Sequence, residues 1–220
     1  MVDNAMMRNP HMHRGRIVFA FDYLSVLRAS PPWDQEPDPA FIPFSHEDAS
    51  TAELAALAEK WSIESIAGSG DGFDRMRNLM AWVNDVTTQE GSAPVPSPKT
   101  ADRFLTFSTD GSDTRLNCLA TAITLAEVLL ADGIPARTLM MYAASASNDV
   151  HVVVIAWSDE LSKWVYLDPS YNAWFAESDG SPMSPLEIRE GFQSGADFQV
   201  SPGSGWNGGR STSTTSITFQ

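Results

Sequence analysis

The single cysteine of the chain, Cys118, stands where a thiol becomes a nucleophile. The surrounding stretch reads Arg115-Leu-Asn-Cys-Leu-Ala-Thr-Ala-Ile-Thr-Leu-Ala-Glu-Val-Leu-Leu-Ala-Asp-Gly133. Asn117 is a good N-cap residue, and Leu119, Ala122, Ile123, Ala126, Leu129 and Leu130 recur behind it at three and four residues. Gly133 supplies the stop. This spacing predicts a helix with Cys118 in its first turn, where the positive end of the helix dipole favours thiolate over thiol. A thiolate so placed implies covalent cysteine catalysis. The competing reading is a small buried hydrophobe, the commonest use of a free cysteine.

A nucleophile of this kind needs a base. Of the four histidines, His11, His13, His46 and His151, only His151 opens a regular, well-patterned element. His151-Val-Val-Val-Ile-Ala-Trp157 is an apolar β-branched strand, Ser158 to Ser162 is a turn, and Lys163-Trp-Val-Tyr-Leu-Asp168 is a second strand stopped by Pro169. The short loop makes the pair antiparallel. With Trp157 opposite Ser162, His151 falls opposite Asp168, at a Cβ separation of roughly 4.5–5.5 Å. A loop one residue longer sets Asp168 opposite Val152 and sends the two side chains to different faces. The first register is the expectation. In it Asp168 accepts from Nδ1–H of His151, fixes the tautomer and leaves Nε2 for the sulfur. Alone, the pair reads as a half-buried histidine with a carboxylate partner; beside Cys118 it completes the order nucleophile, base, orienter.

The elements that must position these groups come from a chain of 220 residues, enough for one full core and a small appendage. At 43% hydrophobic and 19% charged, it has the composition of an ordinary globular protein. Its formal net charge of −14 opposes binding to nucleic acid or to anionic membranes. One cysteine forms no internal disulfide and builds no cysteine-rich zinc site. Residues 1–45 read as an N-terminal extension and connector. In it His11 and His13 lack a third ligand, Ile17 to Leu27 reads as a strand or short helix, and Pro31 to Pro43 is irregular. Asp22 and the Pro31-Pro32-Trp33 sequence argue against a signal peptide, so the chain reads as cytoplasmic, with an exported form left open.

Residues 46–200 form the expected catalytic domain. Ser50-x-x-Glu53 is a capping box that opens a helix lined by Leu54, Leu57, Ala58, Trp61 and Ser65 and broken at Gly68–Gly72. Phe73, Met76, Met80 and Val83 form the next stripe, expected in the core. Gly91 to Asn117 reads as a long non-periodic loop that either shapes a substrate groove or is a plain excursion. Ile134 to Tyr142 reads as a strand, Ala143 to Asn148 as a polar turn, and 201–220 as a loosely held tail.

Taken together, these segments resemble the transglutaminase-like superfamily, a branch of the papain-like cysteine enzymes. The resemblance rests on Asn117-Cys118, Gly133-Ile-Pro-Ala-Arg137, Asp149-Val-His151 and Trp164-Val-Tyr-Leu-Asp168-Pro169, in that order, over about residues 73 to 192. It is nearest to bacterial domains of undefined substrate, in which a stretch like Asp168-Pro-Ser-Tyr-Asn-Ala-Trp-Phe175 precedes a polar turn, here Ser178 to Gly180, and a short helix, here Ser184 to Glu190. The resemblance implies an α+β fold with a papain-like core. A helical N-terminal part, carrying the nucleophile at a helix N-terminus, would pack on an antiparallel β-sheet. It implies that Cys118, His151 and Asp168 are nucleophile, base and orienter in acyl transfer on an amide or peptide substrate, with no metal or cofactor. Asn117 departs from the glycine or glutamine often found before the cysteine. With no calcium sites or extra β-sandwich domains to match, a protease or amidase fits better than a protein crosslinker. The Cys118 backbone N–H would hold the oxyanion, helped by a donor from Asn117, Trp174 or the 91–117 loop. Tyr171 and Trp174 are candidate site walls, Trp157 and Trp164 candidate core, and Arg137 a structural tie. The rival readings are a catalytically silent module on the same scaffold and a structural protein that docks through its acidic surface.

Overall fold

The helix that starts at Cys118 is the axis of the molecule. The computed structural model describes residues 47–111, 113–142, 150–196, 198–201 and 216–217. Helix α1 spans Ala52–Trp61, α2 Ile63–Ala67 and α3 Gly72–Val86. They are followed by β1 Thr88–Gln89, α4 Ala101–Thr109, β2 Arg115–Leu116 and α5 Cys118–Ala131. Strands β3 Ala136–Tyr142, β4 Val150–Ser158 and β5 Lys163–Leu167 come next, then β6 Phe175–Ala176, α6 Pro185–Ser194, β7 Phe198–Val200 and β8 Ser216–Ile217.

Helix α5 buries Ala120, Thr121, Ala122, Thr124, Leu125, Ala126, Val128 and Leu129, which together go round most of its circumference. A helix apolar on all sides belongs inside the fold, not on its surface. Its Leu125, Val128 and Leu129 share one cluster with Leu54 and Leu57 of α1, Met76, Met80 and Val83 of α3, and Val152, Val154, Val165 and Leu167 of the sheet. Phe104 of α4, Leu116 and Ala120 close a separate cluster. The C-terminus closes with Ile134 N–H donating to Leu129 O (2.9 Å) and Gly133 N–H to Leu130 O (3.0 Å). Gly133, at φ +81°, takes the left-handed position that this closure requires.

The main sheet is antiparallel in the order β3-β4-β5. Alternation splits its side chains between two layers. Val152, Val154 and Ala156 face the helical core, while Val153 and Tyr166 join Met183 and Ile188 beneath α6. The Ser184 capping box, with Pro185 at the first turn, starts α6.

Several elements differ from the sequence reading. Thr51, not Ser50, is the N-cap of α1, because the Ser50 N–H and hydroxyl both donate to the Asp48 carboxylate (2.9 and 2.6 Å). That helix ends at Ser62, in the left-handed conformation at φ 53°, before the Gly68–Gly72 break. The 91–117 stretch is not irregular throughout. Ala101, Phe104, Leu105 and Ser108 are the buried face of α4, capped by Thr100, and β2 pairs in parallel with β1. Ser216–Ile217 of the tail pairs with β7. The readings made for residues 1–45, the 143–148 turn and most of the tail lie outside the described residues. Among those residues, no helix is long and apolar enough to cross a membrane.

Candidate active site

The short parallel ladder of β1 and β2 leads the chain into Asn117, which caps α5 by accepting the Ala120 N–H at its Oδ1 (3.0 Å). Its Nδ2 donates to Ala93 O (3.4 Å), and its own carbonyl accepts the Thr121 N–H (3.0 Å). Cys118 is thereby fixed as the first helical residue, with its backbone N–H among those that find no partner within the helix. The thiol is half-buried and reduced. It faces the His151 imidazole and the backbone N–H groups of Val152 and Leu119, and all three favour its anion. The hydrogen bond from His151 acts most strongly and outweighs burial, so the thiol pKa lies below its ordinary value.

The β4–β5 hairpin has a register other than the one expected. Trp157 pairs with Trp164 and Ser158 with Lys163, two residues on from Trp157 opposite Ser162. The reason lies in the turn. Ser162 takes a left-handed conformation (φ 49°) inside it, the Leu161 N–H donates to Ser158 Oγ (3.3 Å), and the two indoles pack edge to face at 5.8 Å. A slip of two residues keeps every side chain on its face. Asp168 is therefore diagonal to His151, not opposite it, and the two still meet on one side of the sheet.

Their contact is His151 Nε2 to Asp168 Oδ2 at 2.8 Å. This also corrects the expected ring orientation: Nε2 is taken by the carboxylate, and Nδ1 is the nitrogen left for the sulfur. The Asp168 side chain is 7% exposed and that of His151 28%, so the carboxylate is sealed while the imidazole still reaches solvent. Burial works against the imidazolium, but the bonds to Asp168 and Cys118 overcome it and raise the His151 pKa to about 10. Both shifts act in the direction of a thiolate–imidazolium pair.

Asp168 is held on every side. Its Oδ1 accepts the Ser170 N–H (3.0 Å), and its backbone forms a bridge with Ala173 (2.8 and 3.0 Å). The phenol of Tyr166 lies buried against it; desolvation, followed by the Asp168 charge and a hydrogen bond to it, raises the Tyr166 pKa well above the ordinary value. From α3, Asn84 Nδ2 donates to Pro169 O (2.7 Å). The sequence reading missed both Tyr166 and Asn84. Tyr166 shares a face with Asp168 by simple alternation, and Asn84 is a polar residue beside the Met80–Val83 core stripe, so each left a signal.

Of the accessory candidates, Tyr171 lies against the imidazole, with ring centroids 5.6 Å apart. Trp174 packs edge to face on Phe73 at 5.7 Å with the Arg77 guanidinium over it, and its backbone N–H donates to Ser201 Oγ (3.1 Å). Asn117 directs its side chain to the helix cap and to Ala93. Arg137 stands over the Trp164 ring at 5.7 Å. Two open hollows, of about 580 and 420 Å³, lie along α1 and α2 and include none of the three central residues. Among the described residues, no cluster of three His, Cys, Asp or Glu side chains could hold a metal.

A search of curated proteins found no match. Among solved structures, the chain is similar to a candidate cysteine protease from Cytophaga hutchinsonii (17% identity, TM-score 0.42, covering 52% of this chain and 37% of that one). It is also similar to the periplasmic domain of TgpA from Pseudomonas aeruginosa (22% identity, TM-score 0.40, 59% and 47% covered). The red sea bream transglutaminase is a third (20% identity, TM-score 0.37, 62% and 28% covered). The chain thus spans less than half the length of each. The family profile described as the Transglutaminase-like superfamily matches residues 59–169, half of the chain, from α1 to the residue after Asp168. The chain belongs to the transglutaminase-like superfamily.

Proposed function

We propose that the protein performs thiol-dependent acyl transfer on an amide or peptide substrate, with Cys118 as nucleophile, His151 as acid–base and Asp168 as orienter. One observation carries the reading: a half-buried thiol at a helix start faces an imidazole whose far nitrogen is bound to a sealed carboxylate at 2.8 Å. Sγ attacks the carbonyl carbon, and the Cys118 N–H receives the oxyanion. The C–N bond breaks as the proton on Nδ1 of His151 passes to the departing amine, leaving a thioester. Water or a second amine then attacks, gives its proton to Nδ1 and releases the thiolate. Tyr171 and Trp174 wall the acyl-donor side, and hydrolysis is favoured over protein crosslinking.

The test is a panel of acyl-donor peptides, read both by turnover and by intact mass. The expected result is an acyl adduct on Cys118 in the wild type, with turnover lost in Cys118→Ala and His151→Ala. Turnover that survives Cys118→Ala refutes the proposal.

A further inference from the structure

We propose that Asn84 of α3 is a positioning residue for the Asp168–His151 pair, acting through the peptide unit between Pro169 and Ser170. The proposal rests on the catalytic reading of that pair. Asn84 is only 5% exposed and sits one residue from Val83, which is fully buried. A carboxamide at such a place costs free energy unless it is hydrogen-bonded, and an apolar side chain would fill the space without that cost. The bond it makes crosses 85 residues of sequence to Pro169 O, at 2.7 Å. That carbonyl and the Ser170 N–H belong to one planar peptide unit. The carbonyl end is held by Asn84, and the N–H end donates to Asp168 Oδ1 at 3.0 Å. The other carboxylate oxygen, Oδ2, holds His151 Nε2 at 2.8 Å.

The line therefore runs from α3, through one rigid peptide and one carboxylate, to the imidazole and the sulfur. Anchoring the carbonyl fixes the direction of the N–H, and bonds in series strengthen one another. With the anchor gone, the peptide can turn, Oδ1 loses its donor, and the carboxylate is no longer aimed at His151. Among the described residues, the ionisable groups that face the ring are Cys118 from α5, Asp168 after β5 and Tyr171 beyond it, while Tyr166 of β5 faces Asp168. Tyr166 bonds the Asp168 carboxylate as well, and the Ser170 N–H is the donor that Asn84 anchors.

The same helix supplies a control at an exposed carboxamide. Asn78 Nδ2 donates to Ala67 O at 2.8 Å, the same bond type at nearly the same length, with no link to Asp168. The experiment measures iodoacetamide alkylation of Cys118 across pH, together with thermal melting, in the wild type, Asn84→Ala, Asn84→Leu and Asn78→Ala. Asn84→Leu keeps the side-chain volume in case the alanine variant does not fold. The expected result is a thiol titration moved towards the ordinary value in the Asn84 variants. On the acid limb, where the thiolate is the minor form, this appears as alkylation slowed by roughly tenfold. Asn78→Ala should melt earlier yet overlay the wild-type titration. Asn84 profiles that overlay the wild type, or an equal displacement in Asn78→Ala, overturn the positioning role. A wild-type thiol that titrates at the ordinary value removes the catalytic reading itself, and the positioning role with it.

Discussion

The proton on His151 sets what the sulfur can do, and Asp168 sets where that proton sits. Because Nε2 is bound to Oδ2, a neutral ring keeps its proton there and presents a bare Nδ1 to Cys118. Asp168→Asn can turn an amide N–H towards Nε2, which moves the ring proton to Nδ1 and leaves the thiol without a base. Turnover in Asp168→Asn is expected to fall on the order of 10⁴-fold with the fold intact, measured as kcat on the best acyl donor. The pH profile follows from the same pair. The folded His151 pKa, raised to about 10, exceeds its unfolded value. Its contribution to stability is therefore complete below the unfolded value of about 6.5 and is lost as pH rises through the folded one. Cys118 has the opposite sign: its contribution is present above the ordinary thiol value and is lost as pH falls through the lowered one. The proposed reaction needs both charges. The kcat/KM profile should therefore be bell-shaped, with an acid limb below the ordinary thiol range and an alkaline limb near the His151 value of about 10.

At the scale of elements, the N-terminus of α5 supplies the Leu119 N–H to the sulfur, and the open end of the β4–β5 hairpin supplies the His151 ring and the Val152 N–H. Asn117→Ala removes the cap bond to Ala120 and is expected to cost about 1 kcal/mol, read from the denaturation midpoint. The helix start, its Gly133 closure and the two strands were legible in the sequence, because caps, stops and two-residue alternation are local signals. The hairpin register was not. It depends on how many residues the Asp159–Ser162 turn absorbs, which the conformation of Ser162 and the packing of Trp157 on Trp164 decide together. That Asp168 still reached His151 follows from parity, since a slip of one residue would have parted them. Helix α4 was legible but overlooked. Ala101, Phe104, Leu105 and Ser108 carry a helical spacing that the prolines at 94, 96 and 98 and the polar residues around them obscured. The role of Asn84 could not be read locally, because its partner lies 85 residues away.

For the whole molecule, α5 is both core and scaffold of the site, so stability and geometry are tied to one helix. Leu125 is fully buried in the main cluster, and Leu125→Ala is expected to cost about 2–5 kcal/mol in a denaturant titration. That loss should leave the pH profile of the surviving folded protein unchanged, since Leu125 lies two turns from the sulfur. The sequence holds one cysteine in 220 residues, so any thiolate signal in the intact protein comes from the proposed nucleophile alone. The most direct measurement is therefore the ultraviolet thiolate absorbance across pH, taken as the difference between wild type and Cys118→Ala and repeated in a His151→Ala background. The account predicts a thiolate that forms below the ordinary thiol value of about 8.5 in the wild type and returns to that value without His151. A thiolate that forms at the ordinary value in both proteins would contradict it.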